Sequence, residues 1–155
     1  MTSQFFQAVL FDMDGLTIDS EPQWLEVERE LTARFGYQWT LEDQAFCLGG
    51  PLSRVGQYMS EMVKGAETGE YFHQGLISEM AKKVRAKAVF MPGAQSLINS
   101  LYKSEIPIAL VSASPRVIVD AALAHIQPLP FKTTISSDDV SKTKPDPEEI
   151  GRAHV

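Results

Sequence analysis

The sequence has 155 residues, of which 44% are hydrophobic and 22% are charged, and its formal net charge is −6. This length and composition suit one folded domain with a modest insertion and exclude a disordered chain. The negative charge argues against nucleic-acid binding, and no run approaches the ~20 apolar residues that a membrane span needs.

The sequence predicts a cytoplasmic protein. Its single cysteine, Cys47, cannot form an internal disulfide, which fits a reducing compartment. The N-terminus lacks the basic and apolar regions of a secretory signal. No feature of the sequence indicates the oligomeric state.

The first predicted strand is the apolar run from Ala8 to Phe11, which is followed by Asp12, Asp14 and Gly15. Four consecutive apolar residues favour a strand buried on both faces, as in a parallel sheet. Ligands of open α/β sheets bind beyond the carboxyl ends of the strands, where both carboxylates would lie. Because two adjacent carboxylates repel each other, the pattern predicts a Mg²⁺ site formed by Asp12 and Asp14. An ordinary turn containing aspartate and glycine is the alternative interpretation.

Residues 20 to 90 follow the helical period and contain no convincing strand. Gly36 is expected to end the first helix, and Thr40 to cap the second. Apolar spacing predicts helices over residues 24–35, 41–48, 53–63 and 70–89.

The pattern changes after Phe90, where helices and strands alternate. Helices are predicted over residues 94–104 and 116–124, and strands over residues 106–111 and 131–136. The chain is therefore predicted to form an α/β sheet that is interrupted after its first strand by an all-helical insertion.

Polar residues also follow the second strand. Ser112 stands at its end, and Ser114-Pro115 has the pattern of a helix start. Backbone N–H groups at a helix start bind phosphate, and the Ser112 hydroxyl can donate as well. Lys144, which precedes Pro145, is expected to reach the same place as a positive charge. These groups together predict phosphoryl transfer. An ordinary capped helix would explain Ser114 but not Ser112.

Three stretches in this order, FDMDGLTIDSEP, SASP and KPDP, resemble the first three motifs of the haloacid dehalogenase-like (HAD-like) hydrolases. With MPG at residues 91–93, they are most similar to the branch of sugar-phosphate phosphatases and β-phosphoglucomutases. The resemblance covers the chain to Glu148. It implies a Rossmann-like parallel-sheet core formed by residues 1–16 and 91–148, and a helical cap formed by residues 17–90.

The resemblance also implies a role for each site residue. Asp12 would be the nucleophile that forms an aspartyl-phosphate, and Asp14 the general acid and base. Ser112, Ala113 and Lys144 would bind the phosphoryl oxygens, and Asp12 and Asp14 would hold Mg²⁺. The implied substrate is a small phosphorylated metabolite.

Residues 48–52 occupy the place of the family's cap specificity loop, so Gly49, Gly50 and Arg54 are candidate substrate-contacting residues. The mutases carry a histidine where this chain has Trp24, which favours a phosphatase over a mutase. A phospho-accepting receiver-like module and an inactive fragment are alternatives from other classes. The receiver-like module is disfavoured because it has no place for a helical insertion.

The chain departs from the family after Glu148. The fourth family motif, which completes the Mg²⁺ shell, is missing, and Asp138 and Asp139 precede the lysine motif and are expected in the loop after the third strand. Residues 149–155 match the translation of a common sequencing adapter, so we expect a C-terminally truncated chain with a non-native tail. The predicted consequence is an unprotected edge on the first strand, with low stability and weak Mg²⁺ binding.

Four other residues with metal-binding or nucleophilic side chains are not expected to belong to a site. His73, His125 and His154 lack metal-ligand spacing, and Cys47 has no histidine partner in the motifs. We expect all four to have packing or surface roles.

Overall fold

The structure is a computed structural model that describes residues 7–127 and 129–153. The predicted tail is thus described as far as Ala153, and His154 and Val155 lie outside the described residues. In chain order the elements are β1 (Val9–Phe11), α1 (Glu21–Ala33), α2 (Leu41–Cys47), α3 (Leu52–Met62), α4 (Gly69–Ala86), α5 (Ala94–Lys103), β2 (Ile108–Val111), α6 (Arg116–Leu123), β3 (Thr133–Ile135), a 3-10 turn (Ser137–Asp139) and α7 (Glu148–Arg152).

The chain divides into two compact units. The core unit comprises residues 1–20 and 87–155, and the helical unit comprises residues 21–86. Within the described residues, no helix is long and apolar enough to cross a lipid bilayer.

The core unit contains a parallel sheet of three strands in the order β1-β2-β3, which confirms the predicted fold class. Phe11 pairs with Leu110, and Val111 pairs with Ile135, so the three strands end at the same edge of the sheet. All four residues of β2 are buried, as expected for a central parallel strand. The register therefore places the residues that follow β1 and β2 side by side.

All three strands are shorter than predicted, β1 by one residue, β2 by two and β3 by three. Strand β2 begins at Ile108 because Pro107 has no N–H to donate, although its carbonyl accepts a hydrogen bond from the Val9 N–H at 3.0 Å. Strand β3 ends at Ile135 because the Ser136 N–H donates to the Asp139 carboxylate at 2.8 Å instead of to a strand.

Helix α4 ends at Ala86, three residues before the predicted end. The chain beyond it is extended, since the Val89 carbonyl accepts a hydrogen bond from the Asp19 N–H at 2.7 Å and Phe90 forms a bridge with Ile18. Long-range pairing therefore overrides the helical period at residues 87–90.

The first residues of the predicted tail form a helix that we did not expect, α7. The Asp146 carboxylate accepts the Glu148 N–H at 3.0 Å at its start. The Glu149 side chain is completely buried, and the Lys144 backbone N–H is the donor that faces its carboxylate. Burial raises the pKa of Glu149, which the nearby Lys144 opposes. The non-native origin of the tail stays a prediction.

Helix α4 is the centre of the helical unit and packs against α1 and α3. Its buried face carries Phe72, Leu76 and Met80, none of which is exposed to solvent. Gly56 of α3 allows the closest approach, because a β-carbon there would lie 2.4 Å from the Gly69 carbonyl oxygen. The absence of a β-carbon at Gly56 thus allows the short distance between α3 and α4.

Two carboxylates lie inside the helical unit. Glu28 is 5% exposed, and its Oε2 accepts the Trp39 indole N–H at 2.9 Å. Burial raises the pKa of Glu28 from 4.5 to about 7.

Asp43 is the second buried carboxylate, and it forms the capping box that Thr40 was predicted to start. It accepts the Thr40 N–H at 2.8 Å and the hydroxyls of Tyr37 and Tyr58 at 3.1 and 2.8 Å. The hydrogen bond from the Tyr58 hydroxyl to Asp43 is the largest cause of the rise in the pKa of Tyr58 to about 12. The predicted helix start at Leu41 is therefore confirmed.

Candidate active site

The two carboxylates directly follow β1. Asp12 and Asp14 are half-buried, and Met13 between them is 2% exposed and points into the core, as the alternation of extended chain requires. Gly15 has a φ of 71°, and its N–H donates to the Ile18 carbonyl at 2.9 Å. Gly15, in a left-handed backbone conformation, thus turns the chain immediately after Asp14.

Lys144 lies against Asp12. Its Nζ donates to Asp12 Oδ1 at 2.6 Å and to the Val111 carbonyl at 2.9 Å. The two side chains are 33% and 35% exposed, respectively, so the ion pair is partly desolvated but open to solvent. Because Val111 is the last residue of β2, the lysine connects the ends of β1 and β2.

Asp14 accepts hydrogen bonds from three serine hydroxyls. Ser20 donates to Oδ1 at 2.8 Å, and Ser112 and Ser114 donate to Oδ2 at 3.3 and 2.8 Å. All three serines are buried, with exposures between 0% and 8%. The carboxylate therefore has a fixed orientation at the end of the sheet.

The loop after β2 presents further hydrogen-bond donors. The Ser114 N–H donates to the Ser112 hydroxyl at 3.0 Å, which closes a tight turn around Ala113. Ala113 is exposed, and its N–H donates to no group among residues 7–127 and 129–153. An anion that approaches this turn would meet that N–H.

Ser114 differs from its predicted role. The N-cap position of α6 is Pro115, not Ser114, and the Ser114 hydroxyl binds Asp14 instead. The serine followed by proline indicated a helix start correctly to within one residue. This pattern does not predict that the Ser114 hydroxyl donates to Asp14, which lies 100 residues earlier in the chain.

Gly49, Gly50 and Arg54 belong to the helical unit. Gly49 has a φ of 71°, which suits the turn between α2 and α3. Arg54 donates to the Phe46 carbonyl at 2.8 Å, and its guanidinium lies 5.2 Å from the centre of the Phe46 ring. These contacts stabilise the turn, and a role in substrate binding stays a prediction.

Asp138 and Asp139 lie in the 3-10 turn after β3, as predicted. Asp138 Oδ2 accepts the Arg116 N–H at 3.0 Å. Asp139 accepts the Ser136 hydroxyl at 2.7 Å and binds the Arg116 guanidinium. Both carboxylates thus serve the contact between this turn and α6.

The described residues contain no group of three histidine, cysteine or acidic side chains that could hold a metal ion. Cys47 is buried, and burial raises the pKa of its thiol to about 11, which makes it a poor nucleophile. His73 lies 3.6 Å from Glu70, one turn earlier on the same helix. His154, predicted to have a surface or packing role, lies outside the described residues.

Known proteins share both the sequence pattern and the fold. The chain is 28% identical over 157 residues to a validoxylamine A 7'-phosphate phosphatase from Streptomyces hygroscopicus, covering 96% of this chain and 70% of that protein. It is 25% identical over 146 residues to a phosphorylated carbohydrates phosphatase from Thermotoga maritima, covering 92% and 66%, respectively.

The fold is that of CbbY from Rhodobacter sphaeroides, solved in complex with phosphate, with a TM-score of 0.78 at 20% identity; the match covers 96% of this chain and 71% of that one. The chain spans about two thirds of the length of the curated relatives it matches. The model of the haloacid dehalogenase-like hydrolase family matches residues 9–154. The chain therefore belongs to the haloacid dehalogenase-like hydrolases.

Proposed function

We propose that the protein is a Mg²⁺-dependent phosphatase that hydrolyses small phosphorylated metabolites, with sugar phosphates as the expected class. The observation that carries this proposal is the meeting of Asp12, Asp14, Ser112 and Lys144 at the carboxyl ends of β1 and β2. Phosphatases acting on a sugar derivative and on carbohydrates are among the relatives, which supports the same class of substrate.

Asp12 is the proposed nucleophile. One of its carboxylate oxygens attacks the phosphorus atom, and the bond between phosphorus and the ester oxygen breaks, which leaves an aspartyl-phosphate. The Lys144 ammonium, 2.6 Å from Asp12 Oδ1, reduces the repulsion between the carboxylate and the incoming phosphoryl group. Water then hydrolyses the intermediate and releases inorganic phosphate.

Asp14 is the proposed general acid and base. In its protonated form it donates a proton to the departing ester oxygen, and the resulting carboxylate then removes a proton from the attacking water. The hydroxyls of Ser20, Ser112 and Ser114 fix its orientation, which keeps the entropic cost of each proton transfer low.

The phosphoryl oxygens are proposed to bind the Ala113 N–H, the Ser112 hydroxyl and the Lys144 ammonium. The exposed Ala113 N–H and the ammonium both lie at the carboxyl edge of the sheet. Positively polarised donors at this place stabilise the charge of the transferring group.

The donor set also fits Mg²⁺. This cation prefers oxygen ligands and is often held by one or two carboxylates together with substrate phosphate and water. Asp12 would supply a carboxylate ligand, and Asp14 would supply the second while its side chain is ionised, so these two residues would hold the ion. When bound, Mg²⁺ neutralises charge on the phosphoryl oxygens.

The test is release of inorganic phosphate from a panel of phosphorylated metabolites in the presence of Mg²⁺. Asp12→Asn is expected to remove turnover, because an amide is a poor nucleophile, and Glu42→Gln is the control in an exposed position. Arg54→Ala tests the predicted specificity loop on the same panel. Equal turnover by Asp12→Asn and by the unaltered chain would contradict the proposal.

The alternatives give different products in the same assay. A mutase would convert a phosphosugar into an isomer that carries the phosphoryl group at another position, without net phosphate release. Trp24 stands where the mutases carry a histidine, which disfavours that outcome. A receiver-like module would accumulate a stable phosphoprotein without turnover, and an inactive fragment would give neither product.

A further inference from the structure

Helix α6 begins without a capping side chain of its own. Its N-cap residue is Pro115, which forms no side-chain hydrogen bond. The acceptor comes instead from Asp138, 22 residues later, whose Oδ2 accepts the Arg116 N–H at 3.0 Å. A tertiary contact therefore replaces the local cap at the end of the phosphate-binding loop (residues 112–115).

The Arg116 side chain strengthens the same contact. Its Nη1 donates to the Thr134 hydroxyl at 2.9 Å, and its Nη2 donates to the Thr134 carbonyl at 3.0 Å and to the Asp139 carboxylate. The Ser136 hydroxyl and the Arg116 guanidinium together lower the pKa of Asp139 to about 2. The guanidinium is therefore engaged by protein acceptors, which argues against a role for it in binding substrate.

Two backbone hydrogen bonds join the loop and the segment that follows β3. The Ser112 N–H donates to the Ile135 carbonyl at 2.9 Å, and the Ser137 N–H donates to the Ser114 carbonyl at 3.1 Å. The phosphate-binding loop is thus attached at its start, at its middle and at its end to residues 134–139. The exposed Ala113 lies between the first two of these attachments.

We propose that Asp138 and Arg116 are positioning residues that hold the phosphate-binding loop in the conformation in which the Ala113 N–H is available to a phosphoryl oxygen. This inference rests on the proposed function. Neither side chain needs to touch the substrate, because each acts through the backbone of the loop and of α6. Fixing the loop before the anion arrives reduces the entropy lost on binding.

A surface ion pair without a positioning role is the competing explanation, and such pairs contribute little. Asp120 provides the comparison, since its carboxylate lies 3.6 Å from Arg116 Nη1 but caps no helix. If only the charge near Arg116 mattered, replacing Asp120 or Asp138 would have similar effects. If the hydrogen bond from the Arg116 N–H to Asp138 matters, only the replacement of Asp138 will change the loop.

The experiment uses nuclear magnetic resonance of the full chain in buffer containing Mg²⁺, with inorganic phosphate as the probe. It measures amide hydrogen exchange at Ser112 and Ser114, whose N–H groups are both hydrogen-bonded, and the affinity for phosphate from the shift of the Ala113 resonance. In Asp138→Ala, exchange is expected to accelerate and affinity to fall by about fivefold, as the loss of a helix cap predicts. Asp138→Asn retains an acceptor and should restore both, and Asp120→Ala should change neither.

Arg116→Gln is a second variant in case Asp138→Ala does not fold, and faster exchange at the same two amides is expected. The proposal is overturned if Asp138→Ala behaves like Asp120→Ala, or if Asp138→Asn fails to restore the exchange rate. Failure of the proposed function gives a different result. In that case the unaltered chain itself shows no shift of Ala113 with phosphate, which overturns both proposals.

Discussion

The buried Glu28 makes the stability of the helical unit depend on pH. Its pKa rises from 4.5 to about 7, mainly through burial, while Glu21 and Asp43 add to the rise and the Trp39 hydrogen bond opposes it. The folded state therefore binds the proton more tightly than the unfolded state. This contribution to stability is fully present below pH 4.5 and is lost as the pH rises through about 7.

The size of the effect follows from the shift. The rise of the Glu28 pKa from 4.5 to about 7 corresponds to about 3 kcal/mol, most of which is lost between pH 5 and pH 8. Glu28→Gln should remove this slope, because the glutamine carbonyl still accepts the Trp39 indole N–H and carries no charge. The variant should therefore be more stable than the unaltered chain at pH 8.

Urea unfolding at constant ionic strength, followed by tryptophan fluorescence, measures this directly at pH 5, 6, 7 and 8. Glu42→Gln is the matched control, since Glu42 is an exposed glutamate of the same unit. The reasoning is refuted if the unaltered chain keeps the same stability from pH 5 to pH 8, or if Glu28→Gln keeps the slope of the unaltered chain.

Two further predictions concern packing. Gly56→Ala should lower the free energy of unfolding by about 1–3 kcal/mol despite the better helix propensity of alanine, because the new β-carbon meets the Gly69 carbonyl. Gly151→Ala, which has open space around it, is the control in the same urea experiment, and equal effects of the two variants would contradict this view. Glu149→Leu should raise the midpoint of thermal unfolding and add about 1–2 kcal/mol of stability, since the cost of burying this carboxylate exceeds what the Lys144 charge and backbone N–H return. A lower midpoint would contradict this prediction and show that the Lys144 contacts outweigh the cost of burial.

Much of the site geometry could be predicted because it depends on strand ends. Apolar runs that stop at Asp12 and at Ser112 mark the ends of two strands, and parallel strands end at one edge of a sheet. The position of Lys144 was predicted from the family resemblance and its proline neighbour, and the structure places its ammonium 2.6 Å from Asp12. The catalytic roles of these residues stay proposals.

Other contacts had no signal in the local sequence. Ser114 has the pattern of a helix cap, but its hydroxyl binds Asp14, while Asp138 caps the helix. A serine hydroxyl can bond to any acceptor that the folded loops bring within reach, and sequence spacing does not specify which acceptor that is. Glu28 lies on the buried face of α1, and its raised pKa depends on the burial that packing creates.

The sequence by itself determined the parallel α/β core, the helical insertion after the first strand and the group of acidic, hydroxyl and basic residues at the strand ends. These features follow from hydrophobic period and from motif order, which are local properties. The tertiary structure decided which hydroxyls hold Asp14 and which carboxylate caps α6. These contacts join residues 6 to 100 positions apart, and they form only when packing brings separate loops to one edge of the sheet.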